Sequence, residues 1–161
     1  MPSAASYGNI RQSWSNEDKM LIHKPGRGTQ QEPALHAASS HDEMTAGLPP
    51  SVADYIRATN LSDLDALLET FVDDALVNDQ LRDYWGKEAI ADWAARDIIG
   101  ERLTLKVVNT VQHYGHSIVT AHVDGLFDKR GLPDPLELAF YFSSQDDKIV
   151  QLIILRNHSA I

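Results

Sequence analysis

Tyr55-Ile56-Arg57-Ala58-Thr59-Asn60-Leu61-Ser62-Asp63-Leu64-Asp65-Ala66-Leu67-Leu68-Glu69-Thr70-Phe71-Val72-Asp73-Asp74-Ala75-Leu76-Val77-Asn78-Asp79 reads as a helix end, a second helix and a short strand. Val52, Tyr55, Ile56 and Thr59 recur at i, i+3, i+4 and i+7, one face of a first helix that Asn60 and Leu61 end. Ser62 is suited to cap the next helix, and Asp65 three residues later resembles the acidic partner of a capping box. Leu64, Leu67, Leu68 and Phe71 form its apolar face. Ala75 to Asp79 then alternates as a strand, with Val77 and Asp79 on the same side. The stretch thus sets a tyrosine on an apolar helix face and an aspartate at the end of a hydrophobic strand. Meeting in one pocket, they would form a phenol donor and a carboxylate base.

Outward from this stretch, Leu48-Pro49-Pro50 opens the first helix, where a missing proline N–H costs nothing. Asp83-Tyr84-Trp85 offers a partner for the short strand. After Gly86, Lys87 to Ile99 has the spacing of a third helix with Ile90, Trp93, Ala94 and Ile98 inward and Gly100 as its stop. Four strands follow: Leu103 to Gln112, Ile118 to Phe127, Leu136 to Ser143 and Lys148 to Arg156. They are separated by turns at His113-Tyr114-Gly115-His116 and Gln145-Asp146-Asp147 and by a Gly/Pro loop over Asp128 to Pro135. Helices first and strands afterwards predict an α+β fold with three helices packed on a curved, mainly antiparallel sheet. Val150-Gln151-Leu152-Ile153-Ile154-Leu155 is apolar at both parities, so both sheet faces need cover there. The helices cover one, and an isologous homodimer is the commonest way to cover the other.

Composition narrows the partners. The 161 residues suffice for one domain with a sizeable core. Residues 1–47 hold 4 basic and 5 acidic groups, whereas 48–161 hold 10 basic and 18 acidic, so the domain itself is acidic. Acidic surfaces repel phosphate backbones, which argues against nucleic acid. With 0 cysteines there is no disulfide, thiolate metal site or cysteine nucleophile, which fits a cytoplasmic protein. No apolar run approaches the ~18 residues of a membrane span. Residues 1–47 lack a sustained period and are broken by Pro25, Gly26, Gly28 and Pro33. They read as a disordered tail, with at most a transient helix over Ala34 to Met44. An alternative is that Met44 is the natural start. The domain is expected over 48–157, with a short tail over 158–161.

The element order, with Tyr55 to Asn60 followed by Ser62-Asp63-Leu64-Asp65, Phe71-Val72-Asp73-Asp74-Ala75 and Gly86-Lys87-Glu88-Ala89-Ile90, resembles the nuclear transport factor 2-like superfamily. That superfamily has an α+β cone fold and includes ketosteroid isomerase and the SnoaL-like polyketide cyclases. The resemblance covers about Leu48 to Arg156. It implies a pocket inside the cone, a small apolar carbonyl-bearing ligand, and proton transfer α to the carbonyl with neither cofactor nor metal. Tyr55 matches the tyrosine that donates a hydrogen bond to the substrate oxygen of ketosteroid isomerase, and Asp79 matches the general base. That enzyme's second donor is a protonated aspartic acid. Aligning Phe140 and Phe142 with the aromatic positions there puts Leu138 at its place, and alternation turns the adjacent Glu137 to the other face. Tyr84, Trp85, Trp93, Leu138 and Phe140 are the expected pocket lining.

Plainer readings stand beside these. Asp79 is equally a strand-end carboxylate facing water or paired with Arg82, and Tyr55 a core tyrosine with a backbone partner. Trp93 sits at core spacing, and Asp97 reads as a charge at the edge of the third helix. His122 shares a polar strand face with Thr120 and Asp124, while His113 and His116 only flank a turn. The chain is accordingly either an isomerase- or cyclase-like enzyme or a non-catalytic ligand-binding or dimerisation module on the same fold.

Overall fold

A computed structural model describes residues 43–156. The expected tails therefore lie outside the described residues, except for 43–47. There a short helical turn ends in Leu48 N–H donating to the Thr45 carbonyl, and Gln112 Nε2 donates to the Gly47 carbonyl.

Helix α1 (Pro50–Asn60) starts with proline in its first turn and buries Val52, Tyr55, Ile56 and Thr59, the face predicted by spacing. Helix α2 (Leu64–Glu69) is shorter than expected. Its cap is Asp63, whose side chain accepts from Ala66 N–H at 3.0 Å, and not Ser62, which adopts a left-handed φ of 53° in the connecting turn. Phe71, expected on this helix, instead opens strand β1 (Phe71–Asp79), and its ring still reaches the same core.

Strand β2 (Arg82–Trp85) folds back on β1, and helix α3 (Gly86–Trp93) follows at once. Gly86 makes this junction at φ 83°, a conformation that suits glycine. After Trp93 the helix widens into a π turn, Ala94–Ile99. It ends at Gly100, a position with no room for a side chain. A Cβ there would lie 2.6 Å from the Arg96 carbonyl oxygen and 2.9 Å from that of Ala95.

Strands β3 (Thr104–His113), β4 (His116–Asp124), β5 (Leu136–Gln145) and β6 (Lys148–Arg156) complete the sheet. β4 ends earlier than expected because the chain turns at Gly125 and folds Phe127 into the core. The order is β2-β1-β6-β5-β4-β3, antiparallel throughout except for the parallel β1–β6 pair. The fold is thus the expected α+β arrangement of helices on one mainly antiparallel sheet.

One face of the sheet carries Val77, Val119, Ala121, Leu138, Phe140, Phe142, Leu152 and Ile154 into a core shared with the helices. On the opposite face of the sheet, Ile153, Tyr141, Ile118 and Val111 lie side by side across β6, β5, β4 and β3. These side chains are half-buried or exposed. The double-sided apolar pattern of β6 therefore has one face covered and one open within a single chain.

Three hairpins turn on two residues each, all at positive φ: Gln80-Leu81, Tyr114-Gly115 and Asp146-Asp147. Leu81 is ill suited to its φ of 69°, because a Cβ crowds the following carbonyl there. Its side chain is 84% exposed, so little packing is lost on replacement. Replacing Leu81 with Asn is expected to stabilise the domain by about 0.5–1 kcal/mol. Urea unfolding would read this as a higher midpoint, and a lower midpoint would contradict the turn geometry.

Candidate functional site

Asp79 ends β1 with its side chain on the core face. Two registers place it there. Parallel pairing sets Val77 opposite Leu152 and Asp79 opposite Ile154, and antiparallel pairing sets Asp79 opposite Arg82. The residue is 0% exposed, which removes the reading of a solvated strand end. Trp93, from α3 above, donates its indole Nε1–H to Asp79 Oδ2 at 3.0 Å. The other oxygen, Oδ1, is buried and has no hydrogen-bond partner among the described residues.

A buried carboxylate with an unmet oxygen strongly favours its protonated form. Burial is the main cause that pushes the Asp79 carboxyl up from 3.8 to about 7. The Trp93 hydrogen bond pulls it back, the negative charge of Asp97 pushes it further up, and the positive charges of Arg82 and Arg96 partly offset this.

Tyr55 is also enclosed, 1% exposed, with its ring edge-on to Phe71 at 6.0 Å and to Phe142 at 5.2 Å. Burial, and then the charge of Asp79, hold its hydroxyl above the ordinary tyrosine range, while the Thr59 side chain acts in the opposite sense. Tyr55 therefore stays a neutral phenol, able to donate. The structure brings Tyr55 and Asp79 into one interior, close enough for the carboxylate's charge to act on the phenol.

The expected lining divides. Tyr84 is half-buried opposite Val77, its ring 6.0 Å from that of Trp93. Leu138 and Phe140 are buried on the core face, and Phe140 stacks on Phe142 at 6.4 Å. Trp85 departs from the expectation. Alternation along β2 puts it opposite Leu76 on the outer face, 66% exposed, so it lines no interior pocket. Glu137 does turn outward as expected, where its Oε2 lies 3.1 Å from His122 Nε2.

Two surface clefts lie elsewhere. One of about 700 Å³ is lined by Lys106, His122, Phe127 and Leu132, and one of about 440 Å³ by Ser51, Arg57 and Glu69. Neither is lined by Asp79 or Tyr55. Among the described residues no group of three or more histidines and carboxylates is placed to hold a metal.

Spacing alone missed how two side chains are placed around Asp79. Asp97, expected at the helix edge, is 0% exposed. Arg96 grips it with Nε to Oδ1 at 3.1 Å and Nη2 to Oδ2 at 3.1 Å. Trp93, expected at core spacing and in the pocket lining, is also the donor to Asp79. The one available signal was that Trp93 and Asp97 are four residues apart and hence share a helix face.

No family model matches the chain, and no curated protein does either. Solved structures do. A candidate polyketide cyclase from Sinorhizobium meliloti is 29% identical, with a TM-score of 0.62 over 69% of this chain and 98% of that one. A Δ5-3-ketosteroid isomerase from Mycobacterium sp. is 18% identical, TM-score 0.54, over 66% of this chain and 90% of that one. A Mycobacterium tuberculosis protein solved in complex with estradiol-17β-hemisuccinate is 16% identical, TM-score 0.54, over 66% of this chain and 91% of that one. The fold is that of the nuclear transport factor 2-like superfamily, in the form shared by SnoaL-like and ketosteroid isomerase-like proteins. No helix among the described residues is long and apolar enough to cross a membrane.

The raised Asp79 carboxyl makes a stability prediction with a definite sign. The folded state holds a proton that the unfolded state has already released, so its contribution is fully present below about 3.8 and lost as pH rises to about 7. Asp79→Asn removes the ionisation. It is expected to raise the melting temperature at pH 8, by an amount reflecting on the order of 1–3 kcal/mol, and to change it far less at pH 4. Equal effects at both values would contradict a buried, proton-holding Asp79.

Proposed function

We propose that the chain is a cofactor-independent isomerase- or cyclase-like enzyme that moves a proton α to the carbonyl of a small apolar ligand. The observation that carries this reading is the unpartnered Oδ1 of the buried Asp79. One carboxylate oxygen is held by Trp93, and the other is left to meet a substrate proton.

In the forward step Oδ1 takes the α-proton, and the C–H electron pair moves into the enolate, placing charge on the carbonyl oxygen. Tyr55, kept neutral, donates a hydrogen bond to that oxygen. The protonated Asp79 then returns the proton at another carbon of the conjugated system. A base titrating at about 7 suits neutral operation, since it is ionised often enough to act and basic enough to accept. Leu138, Phe140 and Phe142 supply apolar wall and no second donor, so the enolate relies on Tyr55. Entry requires displacement of side chains, and the partly exposed Tyr84 lies next to the Trp93 ring with Arg96 against it.

Isomerisation of a β,γ-unsaturated ketosteroid, followed by ultraviolet absorbance, tests this. Asp79→Asn is expected to lower kcat about 10²–10⁴-fold with the fold intact, and Tyr55→Phe about 10²-fold. For the wild type, kcat/KM should rise with pH through about 7 and then level off. A fully active Asp79→Asn enzyme would falsify the assignment. The second reading, a ligand-binding or dimerisation module, is favoured by the complete enclosure of Asp79. Tight binding of a steroid without turnover in any variant would select it.

The outer sheet face supports a homodimer, because Ile153, Tyr141, Ile118 and Val111 form one apolar row across four strands. Sedimentation velocity is expected to show a dimer at micromolar concentration and a monomer for Ile153→Lys. A monomeric wild type would remove the interface.

A further inference from the structure

The polar groups around Asp79 come mostly from the segment where α3 changes pitch. Such π turns within helices are frequent at functional sites. Here the turn carries a fully buried carboxylate, Asp97, whose two oxygens are each held by the guanidinium of its own neighbour, Arg96. Arg96 Nη2 also donates to the Tyr84 hydroxyl at 3.3 Å, and its guanidinium lies 5.9 Å from the centre of the Tyr84 ring. Tyr84 in turn packs on Trp93, the donor to Asp79. A chain of contacts therefore runs Asp97–Arg96–Tyr84–Trp93–Asp79.

Burying a charge pair adds little to stability compared with apolar residues of similar size. An aspartate at 0% exposure is thus poorly explained by packing. Its placement is better explained by what its charge does to a second carboxylate in the same interior. We propose that Asp97, clamped by Arg96, is a positioning residue that sets the charge state of Asp79 and, through Tyr84, seats the Trp93 indole that orients it. This inference rests on Asp79 being the base.

Among the described residues, charged and titratable groups bear on Asp79 from several elements. The π turn presents Asp97 and Arg96, β2 presents Arg82, α1 presents Tyr55, and β6 presents only Ile154 at the matching register. A like charge nearby disfavours ionisation of Asp79, and an opposite charge favours it. Asp97→Asn keeps the shape and an acceptor for Arg96 while removing the negative charge. Arg96→Gln leaves that charge uncompensated. Asp97→Glu retains it.

The experiment follows Asp79 directly, by carboxyl ¹³C NMR on aspartate-labelled protein, with the signal assigned by its loss in Asp79→Asn. Asp97→Asn is expected to move the Asp79 midpoint down by on the order of one pH unit, and Arg96→Gln to move it up. Asp97→Glu should restore the wild-type midpoint, and thermal melts identify any variant that fails to fold. The acid limb of kcat/KM should move in the same directions. A wild-type midpoint near neutrality that neither variant shifts overturns the role of Asp97 while leaving Asp79 as base. A wild-type midpoint in the ordinary carboxylate range overturns the reading of Asp79 itself.

Discussion

The hydrogen bond from the Trp93 indole to Asp79 is the contact on which the rest of the site depends. A carboxylate at the end of an apolar strand has few acceptable partners in a dry core. An indole N–H satisfies one oxygen without adding a charge, and its ring fills the space that water would otherwise take. Trp93 is itself 0% exposed, so the bond forms inside packed side chains. Reaching that geometry requires α3 to start directly after β2 and to lie over the end of β1, a path that the left-handed Gly86 makes possible.

Several local costs gather at this end of the molecule. Asp79 is buried with an unmet oxygen, Asp97 is buried beside its own neighbour's guanidinium, and α3 departs from regular pitch between them. The hairpin that follows Asp79 turns on Gln80-Leu81, residue types poorly matched to positive φ, whereas the other two turns use Tyr114-Gly115 and Asp146-Asp147. Departures from local preference persist where the surroundings hold them in place, and they concentrate at functional sites. Here they coincide around one carboxylate, Asp79.

The two faces of the sheet have different jobs. The inner face supplies apolar walls from β4, β5 and β6, which desolvate Asp79 and Tyr55. The outer face carries an apolar row and, toward one end, the neighbouring positions Lys106, His122 and Glu137. His122 is thereby separated from Asp79 by the thickness of the sheet. The histidine and the aspartate do not form one site, whatever their residue types suggest.

Much of this was legible in the sequence because helix and strand periods are local properties. Spacing alone gave the buried face of α1, and alternation gave the common side of Val77 and Asp79. Chain order gave helices before a meander of strands. The errors were also local. Ser62 and Asp63 are both good caps, and only the path of the chain between α1 and α2 selects Asp63. Trp85 and Tyr84 look equally suited to a pocket until pairing with β1 assigns them to opposite faces. Asp97 looked like an edge charge because a carboxylate is seldom fully buried, although its spacing from Trp93 and Ala94 put it beside the apolar face, and the widened turn beyond Trp93 has no signature in residue pattern. What the sequence determined by itself was the class of fold, with Tyr55 on the apolar face of α1 and Asp79 on the same side of its strand as Val77. Tertiary structure alone decided their environment: the depth of burial, the Trp93 donor, the unmet oxygen and the Asp97–Arg96 pair. The proton affinity of a carboxylate depends on which charges and dipoles surround it in space, and residues far apart in the chain supply them.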